Sequence, residues 1–329
     1  MKKIIKTVLE VIFPLILGGL ILLWVYRDFD FSKLKDVALE KMNYGWMVAT
    51  LFFGVTSHVI RGMRWQLALE PLDMYPKRRN CIYAIFISYA ASIAIPRVGE
   101  VSRCGILKKQ DQIPFAKSLG TVVTERMIDM LMVGILAFVA LLWQEEVFRT
   151  FFLETGTKLE SIQGIFHSVD FYIVIASVVG VLILLYRLLK TLSFFEKVKG
   201  IALNIWLGVK SLKDIPQPKL FIFYTLLIWI CYFLQFYLSF FCFAFTAQLG
   251  LESALVLFVV GSIAVVVPTP NGAGPWHYAI ISMMVFYGVE KGDAGIFAII
   301  VHGIQTFLII LLGVYGLIAL TFSNKIKKI

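Results

Sequence analysis

Three charged residues, Glu125, Arg126 and Asp129, interrupt one of the most apolar stretches of the chain, the run 118–143. They sit 7 to 11 positions into that run. At about 1.5 Å of rise per residue, a helix there would hold them roughly 10–16 Å deep. Glu125 and Asp129, spaced i and i+4, share one helix face, and Arg126 points about 100° away. Charges at such depth cost several kcal/mol unless paired or wetted, and they mark function by default. The plainer alternative is an ion-paired cluster that only fixes helix packing.

A second group follows a chain break. Pro96 and Gly99 interrupt the apolar segment 80–95, and Arg97, Glu100 and Arg103 come with them at spacings of three. If this stretch opens a helix, the three form an Arg-Glu-Arg ladder along one face. Arginine grips phosphate through two parallel hydrogen bonds. An ordinary cytoplasmic loop would also carry these arginines. A third group is the stretch 268–277, with Pro268, Pro270, Gly272, Gly274 and Pro275, then Trp276 and His277. Such a break frees backbone N–H and C=O groups at membrane depth. Asn271 and His277 stand beside them as candidate headgroup contacts, and His277 also as a proton-linked switch. A lone histidine serves equally well as a structural residue.

Other chemistry has little support. His58, His167 and His302 show no metal-ligand spacing, so no metal site is expected. Asp28-Phe29-Asp30 is an Asp-x-Asp pattern of very low specificity, better read as a solvated loop. No nucleophile elbow, phosphate-binding loop or dinucleotide fingerprint occurs, and no cofactor is expected. Cys81, Cys104, Cys231 and Cys242 lie far apart and read as reduced thiols.

These residues must be positioned by a membrane protein. Of 329 residues, 59% are hydrophobic and only 16% charged, with mean hydropathy +0.84. A soluble domain carries about 25% charged residues. A soluble enzyme is thereby excluded. A transmembrane barrel is excluded too, because the apolar residues come in unbroken runs rather than alternating. The net charge of +10 does not indicate nucleic acid: the basic residues sit in short loops, as orientation in a membrane requires.

Six runs are long enough to cross: 8–26, 45–60 (continuing amphipathically to Trp65), 118–143, 170–190, 220–246 and 295–318. The first reads as an uncleaved span rather than a signal peptide. Three shorter runs, 80–95, 253–267 and 276–288, flank the two breaks. If each flanking pair enters and leaves on one side, the cytoplasmic loops hold 23 Lys and Arg and the outer loops 7. The expected fold is therefore an all-α polytopic protein of the cytoplasmic membrane, with six full helices and two broken re-entrant hairpins entering from opposite faces. Both termini are expected in the cytoplasm. Ser92-Ile93-Ala94 before one break and Ser262-Ile263-Ala264 before the other suggest an inverted repeat, a plan in which broken helices meet around a midplane site. Residues 1–329 then form one integral membrane domain, with repeats at about 45–143 and 220–318. Phe194, Val198, Ile201, Ile205 and Leu212 mark an amphipathic helix at about 193–213, lying on the membrane surface or on the protein itself.

In this order, Pro96-x-x-Gly99-Glu100-x-x-Arg103, Thr124-Glu125-Arg126-x-x-Asp129 and Pro268-x-Pro270-x-Gly272-x-Gly274 resemble the membrane region of lysylphosphatidylglycerol synthases. That family is also called flippase-like and includes stand-alone membrane proteins without the synthase domain. The resemblance covers nearly the whole chain. It implies a helical membrane domain with re-entrant elements that moves aminoacylated or other lipids between leaflets. It also implies a lipid route lined by Arg97, Glu100, Arg103, Glu125, Arg126 and Asp129. The chain departs from the family at the second break. There the family commonly has Pro-Gly-Gly-Leu-Gly with a Glu three residues on; here Pro270-Asn271-Gly272-Ala273-Gly274 is followed by His277. No extramembrane segment exceeds about 35 residues, so synthase activity is not expected.

The leading expectation is a translocator of a phospholipid or lipid-linked headgroup, with membrane lipids as its partners and the two broken hairpins as gates. Arg97, Arg103 and Arg126 against Glu100, Glu125 and Asp129 sum to zero, which leaves anionic and zwitterionic lipids equally open. An ion-coupled transporter of a small solute, a lipid or sugar transferase using Asp28 and Asp30, and a non-catalytic scaffold are the alternatives.

Overall fold

The computed structural model describes residues 2–27, 29–96, 98–145 and 214–326. The expected span 170–190, the amphipathic helix at 193–213, His167, Asp28 and Arg97 lie outside the described residues. Those residues contain helices and no strand, so the chain is an all-α polytopic membrane protein. Ten α-helices are described: α1 (Lys2–Val25), α2 (Ser32–Asp36), α3 (Tyr44–Leu69), α4 (Arg78–Ala94), α5 (Val98–Asp111), α6 (Phe115–Trp143), α7 (Pro218–Leu238), α8 (Leu251–Ala264), α9 (Pro275–Phe286) and α10 (Lys291–Ile326). Among the described residues three apolar helical segments are long enough to cross a membrane: Phe115–Trp143, Pro218–Cys242 and Lys291–Ser323. Their outward faces carry large apolar side chains, such as Met130, Leu131 and Phe138 on α6, as a lipid environment favours.

α3 begins where Asn43 caps it: the Asn43 side-chain oxygen accepts from Gly45 N–H at 3.0 Å and Trp46 N–H at 3.3 Å. The helix does not stop where the apolar run ends at residue 60. It continues to Leu69, two and a half turns further, and this extension proves decisive for the site.

Two pairs of short helices form hairpins. α4 and α5 fold back on each other where a Cβ on Gly99 would overlap the Ser88 carbonyl oxygen, so only glycine permits this approach. At their open end, Asn80 Nδ2 donates to Asp111 Oδ2 at 2.8 Å. α8 and α9 meet at Gly261, which leaves room for Trp276 and Ile280. Their open end is tied to the end of α6, since Gln144 bonds both Glu252 and Tyr287. With 17, 14, 14 and 12 residues, these helices span at most about 25 Å each, less than the roughly 30 Å hydrocarbon core.

The two hairpins open toward opposite ends of α6 and their tips meet. α4 runs antiparallel to α10, with Gly316 against Tyr83 and Gly313 against Ala90. The broken end of α4 therefore points toward the second break, and Pro270–Gly272 packs on α4. Contacts between the halves are reciprocal: α4 lies on α10, α8 lies on α6, and α3 lies on α7. α3 and α7 are antiparallel, as the pairs Gly54–Gln235 and Arg64–Thr225 require. The units 44–143 and 218–326 thus share an order of elements and run in opposite senses.

The first break is shorter than expected. α4 ends at Ala94, Pro96 lies in a turn, and α5 already opens at Val98. Gly99 is consequently not part of the break. It is a helical residue whose missing side chain lets α5 press on α4. The second break runs over 265–274, where Asn271, Gly272 and Gly274 have φ of 50°, 74° and 94°. Glycine adopts these left-handed angles freely, and asparagine tolerates them better than most residues.

Candidate functional site

Three helices bring charge to one place. α3 supplies Arg61 and Arg64, α5 supplies Glu100 and Arg103, and α6 supplies Glu125, Arg126 and Asp129. α3 and α5 both run antiparallel to α6, so their arginines arrive level with its carboxylates. Glu125 lies about 15 Å and Asp129 about 21 Å from the start of the 29-residue α6, near the middle of the helix.

Glu125 is the hub. Arg61 Nη1 forms a short ion pair with its Oε1. Arg103 Nη1 donates to Oε2 at 2.9 Å, and Arg126 Nη2 to Oε1 at 3.1 Å. Arg64 Nη2 lies 3.6 Å from Oε1. Asp129 takes Arg61 Nη1 at 2.9 Å, Arg64 Nη2 at 3.3 Å and Arg126 Nη2 at 3.3 Å. Arg126 also faces Glu100, with Nε 3.4 Å from Oε1.

Burial divides the cluster into two layers. Arg61, Arg64 and Arg103 are 1–2% exposed and Glu125 5%. The side chains of Arg126 and Glu100 are 39% and 33% exposed, so they form its accessible edge. Ions at 1–5% exposure persist when they are paired, and aromatic rings line the pairs here. Arg61 Nε donates to Tyr232 Oη at 3.0 Å, and its guanidinium lies 5.6 Å from the Tyr232 ring and 5.9 Å from that of Tyr89. Arg64 sits 5.8 Å from the Phe221 ring, and Arg103 4.7 Å from that of Trp65. Trp65 is anchored by its Nε1–H, which donates to Thr121 Oγ1 at 3.0 Å. A small void borders the cluster, lined in part by Arg64, Trp65, Thr124 and Phe221.

Glu100, Arg103, Glu125, Arg126 and Asp129 are therefore brought together. The expected ladder along α5 does not form: Arg103 pairs with Glu125 and Glu100 with Arg126, both across to α6. Arg61 and Arg64 fall in the amphipathic continuation to Trp65 and are included in the 23 cytoplasmic basic residues counted above; α3 instead carries them buried into the site. Their i, i+3 spacing next to Trp65 was the available signal. Removing them from the loop count leaves 21 basic residues against 7, so the charge asymmetry survives. Tyr89 and Tyr232 gave no signal, being aromatic residues in apolar helices.

Asn271 and His277 are elsewhere. Asn271 Nδ2 donates to Thr306 Oγ1 at 2.7 Å, and the Asn271 carbonyl oxygen lies 3.0 Å from His302 Nε2. Gly274 N–H donates to His277 Nδ1 at 3.4 Å, and the His277 ring packs 4.6 Å from His302 and 5.9 Å from Tyr26. α1 closes over this break: a Cβ on Gly274 would lie 2.9 Å from Ile21 and 3.0 Å from the Gly18 carbonyl oxygen. Pro268 is exposed, Pro270 and Gly272 form the short 3-10 turn, and Gly274 precedes α9. Asp30 accepts from Ser32 N–H at 2.9 Å, the ordinary work of a turn residue. Among the described residues no group of three or more His, Cys, Asp or Glu could hold a metal ion.

The family model described as "Lysylphosphatidylglycerol synthase TM region" matches residues 11–313. Comparison with curated proteins and with solved structures finds no match. The matched range contains both hairpins and every residue of the charged cluster, and on that basis the chain belongs to the family of the lysylphosphatidylglycerol synthase transmembrane region.

Proposed function

We propose that this membrane protein translocates a phospholipid or lipid-linked headgroup between the leaflets of the cytoplasmic membrane. The observation that carries this reading is the cluster itself. Four guanidinium groups and three carboxylates meet at mid-helix depth, beside the tip of a hairpin too short to cross. Two of the seven, Arg126 and Glu100, lie on its accessible edge. A polar headgroup crossing the hydrocarbon layer needs such a station, because an unsolvated charge there costs several kcal/mol. Family membership supports a role connected with membrane lipids.

In this reading the hairpins 78–111 and 251–286 are re-entrant and enter from opposite faces. Their meeting tips form the gate, and the opposed senses of the two halves give the exchange of access that an inverted repeat supplies. A lipid phosphate would meet Arg126 first and displace Glu100 from it. Arg61 and Arg64, locked onto Glu125 and Asp129, would hold the pocket in shape. Asn271 and His277 would shape the second gate. The basic asymmetry of the loops orients both termini to the cytoplasm. The reading assigns transport rather than catalysis and requires no cofactor.

Purified protein in liposomes, with fluorescent lipids of several headgroups, tests it. Wild type is expected to exchange lipid between leaflets, and Arg126→Gln to lose at least tenfold in rate while remaining folded. Wild-type protein that moves no lipid of any headgroup would overturn the reading.

A further inference from the structure

The four arginines and three carboxylates do not balance, and their arrangement shows where the excess lies. Arg61 and Arg64 both pair with Glu125 and Asp129. Arg103 and Arg126 share Glu125 with them, Arg126 also reaches Asp129, and the one further carboxylate is Glu100. Among the described residues, the layer formed by these seven side chains therefore carries a net charge of +1.

The unused donors lie in the same layer. Arg103 is 1% exposed, yet its Nε and Nη2 have no hydrogen-bond partner. Arg126 Nε is also without a hydrogen bond, although Glu100 stands 3.4 Å away. Both guanidiniums bond Glu125, Arg103 at Oε2 and Arg126 at Oε1, and Arg126 Nη2 also meets Asp129 Oδ2 at 3.3 Å. Glu100 and Arg103 belong to the first two turns of α5, just past the break, so the positive end of that helix faces the same region. Buried donors left without acceptors in a layer of excess positive charge are the counterpart of an anion with several acceptor oxygens.

We infer that Arg103 and Arg126 form a phosphate site, with Glu100 as the group that occupies Arg126 when the site is empty, and that the ligand carries net negative charge. The chemistry recognised is a phosphate whose negative charge no cationic group of the same molecule offsets. Assigning it to a lipid rests on the translocation reading above. Electrically neutral headgroups such as phosphocholine bring an ammonium for which this layer has no spare carboxylate.

Binding to the full chain in detergent micelles tests this without requiring transport. The probes are short-chain phosphatidylglycerol, short-chain phosphatidylcholine and inorganic phosphate, read by the shift of thermal unfolding with concentration. Phosphatidylglycerol is expected to bind about tenfold more tightly than phosphatidylcholine, the equivalent of one charge-assisted contact. Arg126→Gln is expected to remove that preference. Glu100→Gln, which frees Arg126, is expected to increase it, and Lys33→Gln, on the exposed α2, to leave it unchanged. Inorganic phosphate in tenfold excess that fails to displace phosphatidylglycerol assigns the site to a lipid; displacement assigns the same site to the free ion. Equal binding of the two lipids, or a preference that survives Arg126→Gln, overturns the inference. Should selective binding occur with no leaflet exchange in liposomes, the translocation reading fails and the anion site stands.

Discussion

The two breaks share a geometry and differ in chemistry. Each joins two short helices folded into a hairpin, and each hairpin lies against a long helix of the other half. The first is flanked by charge: Glu100 and Arg103 begin α5 and reach Glu125 and Arg126 on α6. The second is neutral. Asn271 bonds Thr306 and His302, Gly274 bonds His277, and α1 packs over it. The difference teaches that two hairpins of like geometry need not carry like chemistry: charged side chains converge beside one break, and uncharged polar groups and α1 pack around the other.

The largest effect is expected where the charged break is most tightly paired. Glu125→Gln leaves four guanidiniums around a neutral amide, with three of them almost fully buried. Removing one partner of a buried ionic network costs about 3–5 kcal/mol, so most of the folded yield should be lost in detergent. Gly99→Ala comes next. Its methyl group would overlap the Ser88 carbonyl oxygen, and forcing α4 and α5 apart should cost about 3 kcal/mol, read as a lower unfolding midpoint. Asn271→Ala removes the bond to Thr306 and places alanine at φ 50°, for an expected loss of about 1–2 kcal/mol. Arg126→Gln should cost less than about 1 kcal/mol, because its side chain is 39% exposed and its ion pairs are partly screened. A midpoint for Arg126→Gln as low as that of Glu125→Gln would erase the distinction between the layers.

Much of this was legible in the residues. Glu125, Arg126 and Asp129 stand out because nothing but pairing tolerates charge inside an apolar run, and the prolines at 96, 268 and 270 mark where helices stop. Arg61 and Arg64 were not legible, since they lie just past an apolar run, where the rule for cytoplasmic loops explains arginine without further cause. The amphipathic continuation to Trp65 carries the helix through them, but only tertiary packing shows them buried against Glu125 and Asp129. Gly99 misled for a related reason. Beside a proline a glycine reads as part of a break, whereas here its small size serves a helix contact. The aromatic walls, Tyr89, Tyr232 and Trp65, are invisible in sequence because aromatic residues are common throughout these apolar helices.

The central claim is that the first break carries the chemistry and the second the shape. Leaflet exchange of phosphatidylglycerol in liposomes tests it directly, with Arg126→Gln in the first region and His277→Gln in the second, each checked for correct folding. The account predicts that Arg126→Gln loses at least tenfold in exchange rate, while His277→Gln stays within about twofold of wild type. The reverse order, or an equal loss in both variants, would contradict it.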